Sequence, residues 1–236
     1  MFRKLAALVL FGFIAAPAAH AEQARLYMAP VEGIFSFTPG QLDLAGQSSV
    51  GPVLRAGPAD AVRLEAFLDA NQANTLLIVR GNRVLREVSE DEDLYDDNGV
   101  IPLVESGVAR DEMDALQAPD RIDIWAVSTS IDLSNQIEAV AEGENMRGAG
   151  AVMLKLTPEG RDMVAALTTA NAGHQIATLL ERNILSSPVV QGTVDSAGLA
   201  VSFSSPEDPA RETWVLETLR AMAQGPTQQA WPAPEQ

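Results

Sequence analysis

The stretch LKLTPEGRDMVAALTTANAG, Leu154–Gly173, holds a strand end, a helix start and a helix stop in twenty residues. Val152–Leu156 is apolar with β character. Thr157 has the side chain of an N-cap, Pro158 suits the first helical position, where its missing N–H costs nothing, and Glu159 favours the positive helix end. Met163, Val164 and Leu167 then fall on one helical face, and Asn171 with Gly173 ends the helix. A strand is expected over Ile176–Leu180, a tight turn at Arg182-Asn183, and a return strand from Ile184-Leu185, limited by Pro188. Asp195–Gly198 reads as a further turn and Leu199–Phe203 as a third strand. A last helix follows Pro209, with Val215, Leu219 and Met222 on one face.

A looser copy lies one hundred residues earlier. Pro52–Asn71 aligns without a gap on Val152–Asn171, and Thr75–Leu85 on Gln175–Leu185. Leu54, Pro58, Ala66, Ala70, Asn71 and Leu85 match Leu154, Pro158, Ala166, Ala170, Asn171 and Leu185. Gly99 leads VIPLV as Gly198 leads LAVSF. Identities are few, so two readings stand: an internal duplication, or generic strand–helix–hairpin runs that align by chance. Arg25–Val31 and Arg121–Ser128 are the expected leading strands of the two copies, the second with Ile122, Ile124 and Ala126 inward. A helix is expected over Leu133–Glu142. The boundary falls at Pro119-Asp120. The expected organisation is therefore a leader over 1–21, a first α+β domain over 22–119, a second over 120–224 and a disordered Pro/Gln-rich tail over 225–236. Each domain is a small mixed or antiparallel sheet with helices on one face.

The N-terminus reads as a secretory signal peptide. Arg3 and Lys4 precede an apolar run over Leu5–Ala16, and Ala19-His20-Ala21 offers a cleavage point. The competing reading is a membrane anchor, for which the run is short. Cleavage would place the protein in the periplasm and would shift the net charge from −16 to −18, since the leader carries two basic residues and no acids. Such acidity disfavours nucleic acid and anionic lipid surfaces as partners and suits solubility. With no cysteine, neither disulfides nor thiol chemistry is available.

Catalytic constellations are scarce. After leader removal His174 is the sole histidine and Lys155 the sole lysine, and both sit where a loop polar group and a snorkelling strand residue are expected. No G-x-S-x-G elbow, glycine-rich nucleotide loop or zinc ligand set occurs, so neither a cofactor nor an enzymatic role is assigned. The acidic run Ser89–Glu105 places Asp96, Asn98 and Glu105 at calcium-loop spacing, with Leu94 where the first ligand should stand and Pro102 inside. The repeat offers a plainer account of Asp96–Gly99, a turn before a strand.

The second copy resembles the head part of the large periplasmic region of SecD, the membrane subunit that assists Sec-dependent protein export. The resemblance is carried by Thr157-Pro158-Glu159-Gly160 at the helix start, Ala177–Leu180 in the strand, and Ser186-Ser187-Pro188-Val189-Val190 after the hairpin. It covers about Gly148–Arg220. The family turn carries Gly, where this chain has Arg182-Asn183. SecD also has six membrane helices that couple proton flow to export, and no stretch after the leader is long and apolar enough to cross a bilayer. The resemblance thus implies an α+β head-like fold and contact with polypeptides, including unfolded ones or the Sec machinery, but not a proton-driven motor. The alternatives are a carboxylate-using periplasmic hydrolase and a calcium-stabilised structural protein.

Overall fold

The computed structural model describes residues 24–38, 41–48, 51–95, 101–102, 121–144, 150–196, 198–202 and 209–223. They form an α+β fold of antiparallel sheets with three helices. In chain order these are β1 (Leu26–Ser36), β2 (Leu42–Ser48), β3 (Gly51–Ala56), α1 (Pro58–Ala70), β4 (Thr75–Arg80), β5 (Arg83–Val88), β6 (Ile101–Pro102) and β7 (Ile122–Val127). Then come β8 (Ile131–Asp132), β9 (Ile137–Glu144), β10 (Gly150–Leu156), α2 (Pro158–Ala170), β11 (Gln175–Leu180), β12 (Asn183–Ser186), β13 (Gly198–Ser202) and α3 (Pro209–Met222).

Six of the strands close into a ring. β1 pairs with β11, β11 with β12, β12 with β5, β5 with β4, β4 with β7, and β7 again with β1, every pair antiparallel. β8 continues the line of β7 along β1, with Met28 opposite Ile131. Closure removes free edges from these strands. Inside the ring pack Ala29, Leu77, Val79, Val84, Val127, Ala177, Leu179 and Ile184, joined by Tyr27, Val31 and Trp125. Two three-stranded sheets flank the ring, β2-β3-β6 and β9-β10-β13.

Because side chains alternate across a strand, the outer faces of the ring strands feed two further cores. One gathers Leu54, Leu64, Leu76, Ile78, Leu85 and Ile101 with Ile122, Ile124 and Ala126 of β7. The other gathers Leu154, Val164, Leu167, Ile176, Leu185, Val215 and Leu219 with Leu26 and Met28 of β1. The leading strands are therefore crossed. β7 alternates as expected, but its outward side chains complete the core around α1, while Leu26 and Met28 of β1 complete the core around α2 and Phe35, at the far end of β1, joins the core around α1. Consecutive strands are usually neighbours, and nothing in the alternation itself names a partner.

The pairings recur at a shift of one hundred. Ile78, Val79 and Arg80 face Arg86, Val84 and Arg83, while Thr178, Leu179 and Leu180 face Ser186, Ile184 and Asn183. The register shift falls at the same place in both hairpins and sets Leu85 and Leu185 out of the ladder.

Two local expectations are corrected. The segment expected as a helix over Leu133–Glu142 is instead a turn followed by β9. Ile137 and Val140 are both buried on the same core, a spacing of three that mimics a helix. It arises because the β9–β10 register shifts between Lys155 and Leu156. The β11–β12 turn is Glu181-Arg182 rather than Arg182-Asn183, and the left-handed residue is Glu181 at φ 52°. Gly81 occupies the same place in the first hairpin at φ 59°.

Candidate functional site

Thr157-Pro158-Glu159-Gly160 builds the entry to α2. The Gly160 N–H donates to Thr157 Oγ1 (3.1 Å), which caps the helix. The Thr157 N–H donates to the Gln136 carbonyl (2.9 Å), and the Thr157 hydroxyl to Gln136 Oε1. Gly160 is buried against the same residue: a Cβ there would stand 2.7 Å from Gln136 Cβ. The turn holding Gln136 also anchors β1. Leu133 N–H donates to the Leu26 carbonyl (2.8 Å), and Leu26 N–H to Ser134 Oγ (3.0 Å). Burial raises the Asp132 carboxyl, but hydrogen bonds from Ser134 and the nearby Arg25 guanidinium (3.6 Å) leave it below the usual carboxylate range. One turn thus joins the first strand of the chain to the signature helix.

The entry to α1 solves the same problem with other residues. Gly57 N–H donates to the Gln41 carbonyl (2.5 Å), but Gly57 has no side chain to cap with. Instead Asp60, wholly buried in the first turn, accepts from Thr38 N–H (2.5 Å), Thr38 Oγ1 (2.9 Å) and the Arg63 guanidinium (2.5 Å). Burial raises the Asp60 carboxyl, and these donors more than offset it, so the group stays below its ordinary value. Asp60 and Gln136 were not singled out from the sequence. An acid in the first turn after Pro58 was the available signal for Asp60.

Ser187 and Pro188 form a strap beside the start of β11. Ile176 N–H donates to the Pro188 carbonyl (3.0 Å), Val190 N–H to the His174 carbonyl (2.9 Å), and Gln175 Nε2 to the Ser187 carbonyl (3.1 Å). Signature residues at both ends of α2 therefore place main chain. His174 is an exposed loop residue whose N–H donates to the Asn171 carbonyl (3.0 Å). Lys155 pairs with Glu138 (3.0 Å). Asp96, Asn98 and Glu105 lie outside the described residues, as do the leader, the Pro119-Asp120 boundary and the tail. Among the described residues no group of acids or histidines is arranged to hold a metal, and no helix is long and apolar enough to cross a membrane.

The outer face of β9-β10-β13 carries the half-buried Met153 and the exposed Ala200. Met153 lies between Ala141 on β9 and Ala200 on β13. Gly143 leaves room for it, since a Cβ there would fall 2.9 Å from Met153 Cγ. The face thus sets small side chains around one methionine, with the exposed Lys155 two residues along β10 on the same side. Two carboxylates of β9 are held by neighbours: Glu138 by Lys155, and Glu142 by Arg220 of α3 (3.0 Å).

A family model described as "SecDF, P1 head subdomain" matches residues 124–216. No curated protein matches. Solved structures are similar at low identity. One, described as the structure and function of a membrane component SecDF that enhances protein export, is 17% identical, with 84% of this chain and 93% of that chain covered and a TM-score of 0.35. A crystal structure of SecDF in super-membrane-facing form is 14% identical, covering 84% of this chain and 28% of that one, at a TM-score of 0.35. The crystal structure of SecDF, a translocon-associated membrane protein, from Thermus thermophilus is 13% identical, covering 85% and 29%, at a TM-score of 0.33. The chain spans under a third of the length of the latter two. The region from β7 to the middle of α3 is thus a SecD head-like α+β segment, matching the SecDF P1 head subdomain.

Proposed function

We propose that the protein is an exported, non-enzymatic binding module that contacts polypeptides on the outer side of the inner membrane, as an accessory to Sec-dependent protein export. The observation that carries this reading is the match of residues 124–216 to the P1 head of an export component. The signal-peptide layout of residues 1–21 supports the compartment. The outer face of β9-β10-β13, where small side chains surround Met153, suits an extended segment of a client chain, and the net charge of −16 favours basic stretches of it.

Photo-crosslinking in cells tests the reading. A crosslinking residue is placed at Ala200 on the sheet face, and at Ala59 and Glu159 at the two helix entries, all exposed. Capture of exported chains or Sec components from Ala200, above the helix-entry positions, is the expected result. A protein that is secreted and folded yet captures neither class from any of the three positions refutes it.

A further inference from the structure

We infer that the chain is a fused, strand-exchanged dimer: two copies of one half-unit arranged about a local two-fold axis, each serving as the other's obligate partner. A two-fold arrangement makes an unusual demand, that some residues meet their own equivalents. Two contacts do so. Arg83 of β5 stands opposite Asn183 of β12, its counterpart at the shift of one hundred. The bonds on either side are reciprocal, Val84 N–H to the Arg182 carbonyl and Ile184 N–H to the Asn82 carbonyl, both 2.8 Å. Across the ring, Val31 of β1 stands opposite Val127 of β7. These two are also counterparts, because Val31 pairs with Gln175 and Val127 with Thr75.

The remaining geometry follows the same axis. β1 lies on β11 as β7 lies on β4, Leu26–Val31 corresponding to Ile122–Val127. The turns match as well, Gly57 N–H bonding the Gln41 carbonyl where Thr157 N–H bonds the Gln136 carbonyl. Chance alignment of strand–helix–hairpin runs supplies none of these self-equivalent contacts. A half-unit by itself leaves its outer core without Leu26 and Met28, or without Ile122, Ile124 and Ala126, and leaves four strand edges unpaired. The occupant that fits each gap is the leading strand of a second copy. The head-like segment at 124–216 therefore carries most of a strand that completes the other half and lacks β1, which completes its own. The inference is independent of the polypeptide-contact reading.

The full-length chain tests it when a protease recognition sequence is inserted between Asp111 and Glu112, after confirming that the uncut protein keeps the parental circular dichroism and melting midpoint. The cut fragments are expected to co-elute as one species, to melt in a single transition, and to refold from denaturant only when mixed. Fragments that separate under native conditions while each keeps a folded spectrum overturn the inference. Should the insertion itself unfold the protein, Arg83→Cys with Asn183→Cys in the uninterrupted chain decides. The protein has no cysteine of its own. Bonds flanking the pair make it a non-hydrogen-bonded one, with a Cα separation of about 4.5 Å, inside the disulfide range. Spontaneous cross-linking of the folded protein is expected. Two free thiols persisting in an oxidised, folded sample overturn the two-fold contact.

Discussion

Leu26, the first residue of β1, is buried in the same core as Val164 and Leu167 of α2, although more than 130 residues separate them. Ile124 of β7 is buried in the other direction, in the core containing Leu64 of α1. Packing in the structure thus runs across the midpoint of the chain twice. Leu26→Ala should cost about 2–5 kcal/mol, and Ile124→Ala a similar amount. The informative result is where the loss is felt. Hydrogen exchange should rise first in α2 and β10 for Leu26→Ala, and first in α1 and β3 for Ile124→Ala. Loosening confined to each residue's own half of the sequence would contradict the crossed packing.

That crossing marks the limit of what the residues disclose on their own. Helices α1 and α2 are legible, because Pro58 and Pro158 fix the first helical position and Asn71 and Asn171 close the last turn, each side chain bonding the carbonyl four residues back (Phe67 and Leu167, 2.8 Å). The hairpins are legible from apolar runs of strand length. β9 is not, since a register shift puts Ile137 and Val140 on one face at helical spacing. Strand exchange is not legible either. Alternation tells which face of β7 is buried and is silent on the core that receives it. A signal did exist: Gln41 and Gln136 are 95 residues apart, not 100, and each precedes a flanking strand. Reading that offset would have turned the expected helix into a counterpart of β2. Of the candidate surface, Met153 was visible only as a strand residue, its neighbour Ala141 fell inside the expected helix, and Gly143 fell just past its end.

Asp60 gives a pH dependence with a definite sign. Its folded value lies below its ordinary one, so the folded state holds the proton less tightly than the unfolded chain. The resulting stability is present above the ordinary carboxylate range and is lost as pH falls through the depressed folded value. Asp60→Asn should lower stability at pH 7 by about 2 kcal/mol, the scale of hydrogen bonds to a charged group. The gap between parent and variant should narrow as pH drops below 4. Melting midpoints recorded from pH 7 to pH 3 check this, and a constant gap would show that the carboxylate charge is irrelevant at that site.

The two residues at the α2 entry separate capping from close approach. Thr157→Ala removes the cap and should cost about 1 kcal/mol. Gly160→Ala drives a methyl group towards Gln136 Cβ and its carbonyl oxygen, and should cost about 1–3 kcal/mol through overpacking. Both positions act on the turn at Gln136, so the double variant should fall short of the sum of the singles. Chemical denaturation of the four proteins measures the coupling, and strict additivity would mean that the two contacts are independent.

The paired turns allow a swap whose two directions differ. Gly81 and Glu181 share a left-handed backbone, at φ 59° and 52°. A side chain in that region costs about 1–2 kcal/mol, while glycine loses more entropy on folding, about 0.5–1 kcal/mol. Gly81→Glu therefore imposes strain that the first hairpin lacks at present and should lower the denaturation midpoint. A Cβ at Gly81 meets nothing within 4 Å, so the penalty expected there is strain in the backbone. Glu181→Gly relieves the same strain in the second hairpin and removes an acid from a chain of net charge −16, so its midpoint should hold or rise. If both substitutions lower the midpoint equally, backbone strain does not distinguish the two turns, and the Glu181 side chain must make a contact whose loss outweighs the relief.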